Sequence, residues 1–522
     1  MNNLKSRTHY IGYKNEELVD YTQNFMYVKK QDGTENMELK VKDTTVYSYR
    51  TETQYFDVIN YTLTYKGGTE DTKPSSGTLT AKSDYTGYLR NEEMLNYTFK
   101  YSGDNNNPST TTVYFYGTGQ GRAPTTTSGN YGHAMSMSAT YNGNMSAGTT
   151  LKDTTVDALT SRNYYFGYSR SELMDYATNY MLVKDISGAQ VKDTIVYTYG
   201  TGARSDILNY STVYRGTDTD EDTGIRKSRT YFKGDVRGDE IADYVHNYTG
   251  DMAHTVSTTV VFFYGDSHSR ADAVFYGLPM TASAIYKGDH SGGSYNDGLI
   301  ADLKTKNYYS GYKGDELMDY TQSFSVDSSV SSNPFVKETT IYRYATASTD
   351  RDVIDYTITF KGGTINTKPG IGSLAYKSRT EYIGAVRGEE FMDYTLDYVG
   401  DLTTTVASST VYFYGAGVRA STSLAGSSSM YALAKYDKDH SGAQTITTTD
   451  LRSVTYFIGH KGDELVNYVL NYGGSSWVKD TTVFTYEAGD VIDYVSVYRG
   501  NDPTGTGTLK SRNYYAGAVR GE

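Results

Sequence analysis

Short runs of alternating apolar and polar residues follow one another along the chain and predict β-strands. Residues 353–360 (VIDYTITF) are a typical run, and such β-branched and aromatic residues favour the pleated surface of a sheet. Residues 316–320 (ELMDY) contain good helix formers, so a helix is the competing interpretation there. Because equivalent runs elsewhere are β-branched, we predict strands at both places, joined by Gly-containing turns.

One segment recurs eight times and has the pattern of a β-hairpin, most clearly in residues 377–394 (KSRTEYIGAVRGEEFMDY). The copies begin near Ser6, Ser83, Ser161, Ser228, Thr305, Ser378, Ser453 and Ser511. Each first arm ends in Gly, and each turn contains a basic residue: Lys14, Arg90, Arg170, Arg237, Lys313, Arg387, Lys461 and Arg520. Gly or Asn follows that residue in every copy except the third, which has Ser171. Both tolerate a left-handed backbone, so we predict a type I turn with a left-handed bulge residue, a three-residue connection.

The returning arm of these hairpins carries the pattern Asp/Asn-Tyr-x-x-x-Tyr/Phe, as in Tyr21 and Phe25. Residues four apart on a strand point to the same face. The aromatic residues of successive arms are therefore expected to line up in ladders across the sheet, and cross-strand aromatic pairs stabilise a sheet by roughly 0.2–1 kcal/mol each.

The hairpin units alternate between two types, so the true period is the pair, about 150 residues. A Val-Lys-Asp/Glu-Thr segment follows the odd copies, at residues 41–49, 191–199, 336–344 and 478–486. An aromatic run follows the even copies, at residues 111–117, 259–265 and 410–415. We divide the chain into superrepeats at residues 1–160, 161–303 and 304–451, with a partial superrepeat at 452–522.

A lone hairpin is marginal in water, so each unit must pack on its neighbours. We therefore predict an all-β fold: an elongated, solenoid-like tandem array of stacked antiparallel β-hairpins. A string of separate β-sandwich domains is the alternative. A closed propeller is disfavoured because seven alternating units would place two like units side by side.

Composition excludes several classes of function. The net charge of -12 argues against a nucleic-acid partner, which requires a basic surface. With no Cys, thiol chemistry and disulfides are excluded. No stretch approaches the roughly 18 apolar residues of a membrane span. The 56 Tyr suit half-buried sheet faces, because the ring is apolar and the hydroxyl can reach a polar partner.

The Tyr-rich segments at 194–200 (TIVYTYG) and 410–415 (TVYFYG) resemble tandem repeats of giant predicted surface proteins from uncultivated bacteria. That resemblance implies a large, surface-exposed repeat protein. Residues 197–200 (YTYG), followed by Gly202 and Arg204, are more distantly similar to the YD repeats of Rhs-type shells, which have Asp at the position of Gly200 and surround a C-terminal toxin.

Two groups of acidic residues are candidates for chemistry. Acidic pairs follow most turns and could be paired catalytic carboxylates, but repetition in nearly every unit favours a structural role in the turn, beside the basic residue. The pairs are Glu16/Glu17, Glu92/Glu93, Asp239/Glu240, Asp315/Glu316, Glu389/Glu390 and Asp463/Glu464. Asp437 and Asp439 stand like the first ligands of a calcium loop, but Thr448 occupies the place of its bidentate Glu, so a polar turn is favoured.

Four Asn-Tyr-Thr/Ser triplets match glycosylation acceptors, at Asn60, Asn96, Asn209 and Asn247. Asp occupies the same position in other repeats, so we interpret the match as incidental. The eight His residues show no other recurring pattern, and we predict no catalytic residues, cofactor or zinc site.

We predict a non-enzymatic structural protein of an extracellular filament or cell-surface fibre. The alternatives are an adhesin or glycan-binding stalk and, less favoured, an Rhs-like toxin shell. The segment 509–522 copies the first arm and turn of the hairpin without the returning arm. We expect the chain to be part of a longer array and a strand to be added at this edge, from the continuing chain or from another copy.

Overall fold

The computed structural model describes residues 4–29, 37–51, 57–102, 105–123, 133–145, 158–181, 188–273, 277–294, 302–325, 334–345, 352–400, 404–420, 428–474, 477–486 and 491–515. Within these ranges the chain forms 31 β-strands and two 3-10 turns, which confirms the all-β prediction. The competing helical interpretation is wrong, because Leu317–Ser325 is a strand.

The first superrepeat contains β1 (Ser6–Ile11), β2 (Leu18–Lys29), β3 (Met37–Tyr49), β4 (Ile59–Lys66), β5 (Leu79–Thr86), β6 (Met94–Lys100), β7 (Thr110–Tyr116), β8 (Gly121–Arg122) and β9 (Met135–Asn142). Next come β10 (Leu159–Phe166), β11 (Leu173–Met181), β12 (Gln190–Tyr199), a 3-10 turn (Gly202–Arg204), β13 (Leu208–Arg215), β14 (Arg226–Lys233), β15 (Ile241–Tyr248), β16 (Val256–Tyr264), a second 3-10 turn (Ala271–Ala273) and β17 (Met280–Lys287).

The third superrepeat contains β18 (Leu303–Ser310), β19 (Leu317–Ser325), β20 (Phe335–Tyr344), β21 (Ile354–Lys361), β22 (Tyr376–Ile383), β23 (Phe391–Tyr398), β24 (Val406–Tyr414), β25 (Val418–Arg419) and β26 (Met430–Asp437). The last strands are β27 (Leu451–Ile458), β28 (Leu465–Tyr472), β29 (Val478–Tyr486), β30 (Ile492–Arg499) and β31 (Leu509–Tyr514).

All these strands belong to one open antiparallel sheet, in which each strand pairs with the next along the chain. The two-residue strands β8 and β25 are the exceptions, since β7 pairs with β9 and β24 with β26 around them. Pairing also continues between superrepeats, from β9 to β10, β17 to β18 and β26 to β27. The hairpins therefore form a continuous tandem array rather than separate sandwich domains.

The sheet winds back on itself, so residues far apart in sequence come into contact. Lys42 on β3 pairs with Asp315 across 273 residues, and Lys192 on β12 pairs with Asp463 across 271 residues. The Lys66 Nζ donates to the Ala385 carbonyl at 2.6 Å. These contacts bring strand ends on one side of the sheet against strand ends on the opposite side. We call the end with the repeated turns the turn edge, the opposite end the loop edge, and their junction the seam.

Bulges provide a physical reason for the winding. The register shifts at an aromatic residue in most strand pairs, for example between His9 and Tyr10 and between Asn24 and Phe25. Each bulge bends its strand and increases the local twist. Twisted open sheets rarely exceed about ten strands without curling, so a much longer sheet must coil.

The best-buried core lies at the second hairpin of each even unit. On β24 and β26 alternate positions are fully buried: Val411, Phe413, Ala432, Ala434 and Tyr436. The equivalent hairpins β7/β9 and β16/β17 contribute residues to the other two large clusters of buried residues. The small Ala432 lies opposite Phe413 and Ala282 lies opposite Phe263, a combination of small and large side chains that favours dense packing.

The repeated turns are longer than predicted. Residues 12–17 connect β1 to β2 and residues 87–93 connect β5 to β6, so the three-residue connection was wrong. Each contains a β-turn, as where the Glu16 N–H donates to the Tyr13 carbonyl at 2.9 Å. The third residue of this β-turn has a left-handed backbone, with positive φ, as predicted at Asn15, Asn91, Gly238, Gly314, Gly388 and Gly462. In the third copy that residue is Arg170, with φ 69°, rather than Ser171.

The Gly that ends each described first arm is required by close backbone approach. A Cβ on Gly311 would lie 2.9 Å from the Asp315 carbonyl oxygen, and one on Gly384 would lie 2.9 Å from the Glu390 Cα. Real Cβ contacts are not that short, so a side chain would push the turn away from the arm. The turn of the eighth copy, with Gly517 and Arg520, lies outside the described residues.

Candidate functional site

From the second copy to the seventh, the Glu that ends the repeated turn, which is the second residue of the acidic pair where a pair is present, ties its turn to an earlier strand. The Glu316 Oε1 accepts the Met280 N–H at 3.0 Å, and Met280 opens β17, two strands before. The same bond joins Glu93 to Ile59, Glu172 to Met135, Glu240 to Leu208, Glu390 to Ile354 and Glu464 to Met430. The acidic pairs thus act in the turns, as expected, by satisfying strand-end donors that lack a ladder partner.

From the second copy to the seventh, the basic residue of the turn reaches the preceding turn rather than the carboxylates of its own. The Arg90 guanidinium donates to the Glu17 carbonyl at 2.6 Å, and that of Arg387 to the Glu316 carbonyl at 2.6 Å. The Lys461 Nζ pairs with the Glu389 carboxylate at 2.6 Å. The cation that serves an acidic turn therefore comes from the following unit, and it links neighbouring units along the turn edge.

The seam has its own set of contacts, which local sequence patterns did not predict. Both Lys42 and Lys192 belong to the Val-Lys-Asp/Glu-Thr segment of odd units, and their partners Asp315 and Asp463 are the first acids of odd turns. The buried Met181 and Leu465 pack together at the same junction. The one sequence feature that pointed to this contact is the Lys that recurs at the same position of every odd unit.

One Tyr in each unit joins its strand to the neighbouring strand through a hydrogen bond from its hydroxyl. The Tyr344 hydroxyl on β20 donates to the Met318 carbonyl on the neighbouring strand β19 at 2.8 Å. The same bond is made by Tyr49, Tyr116, Tyr199, Tyr264, Tyr414 and Tyr486. Burial raises the pKa of Tyr49 to about 12, so the neutral hydroxyl that donates this bond is strongly favoured.

Aromatic rings also stack across the first hairpins, mostly as pairs rather than long ladders. The Tyr308 and Tyr320 rings lie 4.0 Å apart with an interplanar angle of 8°. Equivalent stacks join His9 to Tyr21, Tyr164 to Tyr176, Tyr231 to Tyr244 and Tyr456 to Tyr468. In the second and sixth copies Asp84 and Glu381 take the place of the first ring, which interrupts the ladder.

The Asp/Asn before the repeated Tyr binds a cation in even units. The Arg270 Nε donates to Asp243 at 2.8 Å, and the Arg419 Nε to Asp393 at 2.7 Å. In the first even unit the Arg122 Nε donates to the Asn96 amide oxygen at 3.0 Å. Because Asp and Asn both offer this oxygen, the alternation that makes Asn96 look like a glycosylation acceptor has a structural explanation.

The other glycosylation candidates differ in accessibility. The Asn247 side chain donates to Thr258 at 3.0 Å within the sheet, whereas Asn209 is exposed on β13. The interpretation that the match is incidental at these sites, including Asn60, stays a prediction.

The two weak calcium candidates lie beside one polar turn. Asp439 accepts the Ser441 N–H at 2.9 Å, and Asp437 pairs with the Arg452 guanidinium. His440 stacks on Tyr436 and contacts Asp450. No group of three or more His, Asp or Glu side chains in the described part of the chain could hold a metal ion.

The last strand has one partner in the described chain. β31 pairs along one edge with β30, and all six of its residues are exposed. Residues 516–522 lie outside the described ranges, so addition of a strand at 509–522 stays a prediction. Among the helical segments that the structure describes, none has the length and apolarity to span a membrane.

No family model and no curated protein matches this chain. The crystal structure of TcdB2-TccC3 is similar over 98% of this chain and 28% of that one, at 7% identity and a TM-score of 0.24. For the same protein without its hypervariable C-terminal region, the values are 95%, 27%, 7% and 0.27. The Photorhabdus luminescens Tc holotoxin pore matches over 95% and 22%, at 8% identity and a TM-score of 0.21. This chain spans less than a third of each, and such scores assign it no function.

The Glu contact in the turn can be tested with a control from the same repeat position. We expect Glu316→Ala to lower the free energy of unfolding by about 1–3 kcal/mol, because the Met280 and Gly314 N–H groups both lose their acceptor. Glu316→Gln, which keeps one acceptor oxygen, should cost less. The structure describes no strand before β1 for Glu17 to bind, so Glu17→Ala in this same chain is the control. Equal urea midpoints for the two Ala variants would contradict this role.

Proposed function

We propose that this protein is a structural component of an extracellular filament or cell-surface fibre, with no catalytic role. The observation that carries the proposal is the seam. Its two Lys–Asp pairs recur one superrepeat apart, so each superrepeat is tied to the one that lies two further along. A body held together in this way lengthens with every added superrepeat.

The use of the repeated polar residues supports the same role. The acidic pairs, the basic turn residues and the Tyr hydroxyls bind backbone groups or one another, and each contact recurs from unit to unit. Such interactions stiffen an array without disulfides.

Electron microscopy, light scattering and circular dichroism of the purified chain test the proposal. We expect a β-rich spectrum and elongated particles that join into filaments as concentration rises. A compact particle that stays monomeric at all concentrations would overturn it.

A protective shell is the second candidate, because the sheet winds back on itself and such winding favours an enclosing wall. A shell predicts closed, hollow particles and a non-repeated cargo domain in the complete gene. Solid or open-ended rods would exclude it. Binding of glycans by exposed Tyr also stays a prediction, and a glycan array tests it.

A further inference from the structure

The segment that follows β17, residues 288–294, packs on buried residues of β15, β16 and β17. The His290 N–H donates to the Thr259 Oγ1 at 3.0 Å, and the Arg270 guanidinium donates to two carbonyl oxygens of the segment at 2.8 and 3.0 Å. The equivalent backbone bond joins Met145 to Thr111 in the first superrepeat and His440 to Ser409 in the third. The segment is therefore a regular part of the even unit, and we call it the cover segment.

Two His–Asp contacts also hold the cover segment of the second superrepeat. The Nε2 of His246, on β15, lies 3.2 Å from the Asp289 Oδ1, and the Nε2 of His290 lies 3.2 Å from the Asp302 Oδ2, just before β18. The His290 ring stacks on the fully buried Tyr286 ring, with centroids 5.1 Å apart. Because Asp289 and His290 belong to the segment, each imidazole meets its carboxylate while the segment is in place.

The residues of these contacts change together between superrepeats. In the first superrepeat, the four equivalent positions carry side chains that do not titrate: Phe99, Asn144, Met145 and Ala158. In the third, three of the four are kept as Asp439, His440 and Asp450, and Leu396 takes the place of His246. The fold thus accepts Phe, Leu, Met or Ala at these places, so His and Asp are not required there for packing.

The groups that face His246 are mixed in charge. Arg229 lies opposite it on β14, and Glu221 pairs with Arg229 at 2.7 Å. Arg270 pairs with Asp243 at 2.8 Å. The nearest rings belong to Tyr231, Tyr244 and Tyr248, a residue type that is neutral well below pH 10. Each cation therefore has a carboxylate of its own, and a further carboxylate, that of Asp289, contacts His246.

Asp289 keeps its negative charge over the range in which His titrates. The Ser291 N–H donates to the Asp289 Oδ1 at 3.0 Å. That bond, with a smaller contribution from His246, holds the pKa of Asp289 below its ordinary value. The carboxylate is therefore already ionised when an imidazole beside it gains a proton.

We propose that the cover segment of the second superrepeat is a pH-sensitive clasp, which holds β15, β16 and β17 more firmly when His246 and His290 are protonated. A hydrogen bond between an imidazolium and a carboxylate is charge-assisted and roughly twice as strong as one between neutral groups. Lifting the segment separates each imidazole from its carboxylate, so protons bind better to the held state and acid favours it. His changes its charge between about pH 5 and 8. The clasp couples one even unit to acidity, whichever role the array has.

Hydrogen exchange at the His290 amide, corrected for the intrinsic effect of pH, measures how firmly the segment is held. In the unchanged chain we expect this exchange to be about three- to tenfold slower at pH 5.5 than at pH 8. The Met145 amide makes the same bond beside side chains that do not titrate, so it should not respond. Equal exchange of the His290 amide at the two pH values would overturn the inference.

Variants that carry the residues of the first superrepeat supply the matched control. His246→Phe and His290→Met should each remove part of the pH dependence at residue 290, and the double variant all of it. The His440 amide, one superrepeat later in the same molecule, should behave as in the unchanged chain. A pH dependence at residue 290 that survives in the folded double variant would overturn the clasp.

A second pair of variants removes charge without touching the buried face. Asp289→Asn and Asp302→Asn each keep an acceptor oxygen but lose the carboxylate, and these side chains are 59% and 49% exposed, so both variants should fold. Each should flatten the pH dependence at residue 290, and circular dichroism checks the fold. Exchange that slows in acid as much as in the unchanged chain would show that the carboxylates are not the source of the effect and would overturn the inference.

Discussion

Above pH 10 the protein is expected to lose stability steeply and to unfold before its buried Tyr ionise. Burial raises the pKa of Tyr49, Tyr141, Tyr244 and Tyr456 to about 12, against 10.0 for an exposed Tyr. Below pH 10 these Tyr are protonated in both the folded and the unfolded protein, so their contribution to the free energy of unfolding does not change with pH. Between pH 10 and 12 only the unfolded chain releases these protons, which costs the folded state about 1.4 kcal/mol per Tyr and pH unit.

Tyrosinate absorbance and urea unfolding, followed together from pH 8 to 12, measure this effect. We expect part of the Tyr to ionise only at the unfolding transition. Tyr344→Phe removes one hydroxyl whose pKa burial raises, so stability should fall less steeply with pH, after an initial loss of the Met318 bond. Smooth titration of all 56 Tyr near pH 10 with constant stability would contradict the expectation.

The second large effect is expected at the core of the third even unit. Phe413→Ala should destabilise by about 3–5 kcal/mol, because the ring is fully buried and its removal leaves a cavity between β24 and β26. Hydrogen exchange of the amides of these strands measures the local loss, since the units of an array can open separately.

Phe335→Ala is the matched control, because that ring is 49% exposed in the single chain. We expect it to change local exchange little. If Phe413→Ala and Phe335→Ala accelerated amide hydrogen exchange equally, the burial of Phe413 could not be the source of the stability of its unit.

The sequence by itself determined the local architecture. Alternating residues predicted strands, and the repeated Gly and Asn correctly located most left-handed turn residues. The Tyr21 and Phe25 pattern correctly placed two aromatic side chains on one buried face. All these features depend on a few neighbouring residues, so their spacing in the chain is their spacing in the structure.

Only the tertiary structure decided which distant groups meet. Glu316 binds a strand two positions away, and Lys42 meets Asp315 because small twists and bulges accumulate over many strands. A small change in the average twist would shift every seam partner, and no local pattern states that angle. The repeat therefore fixes what each unit is, whereas the accumulated twist fixes which units touch.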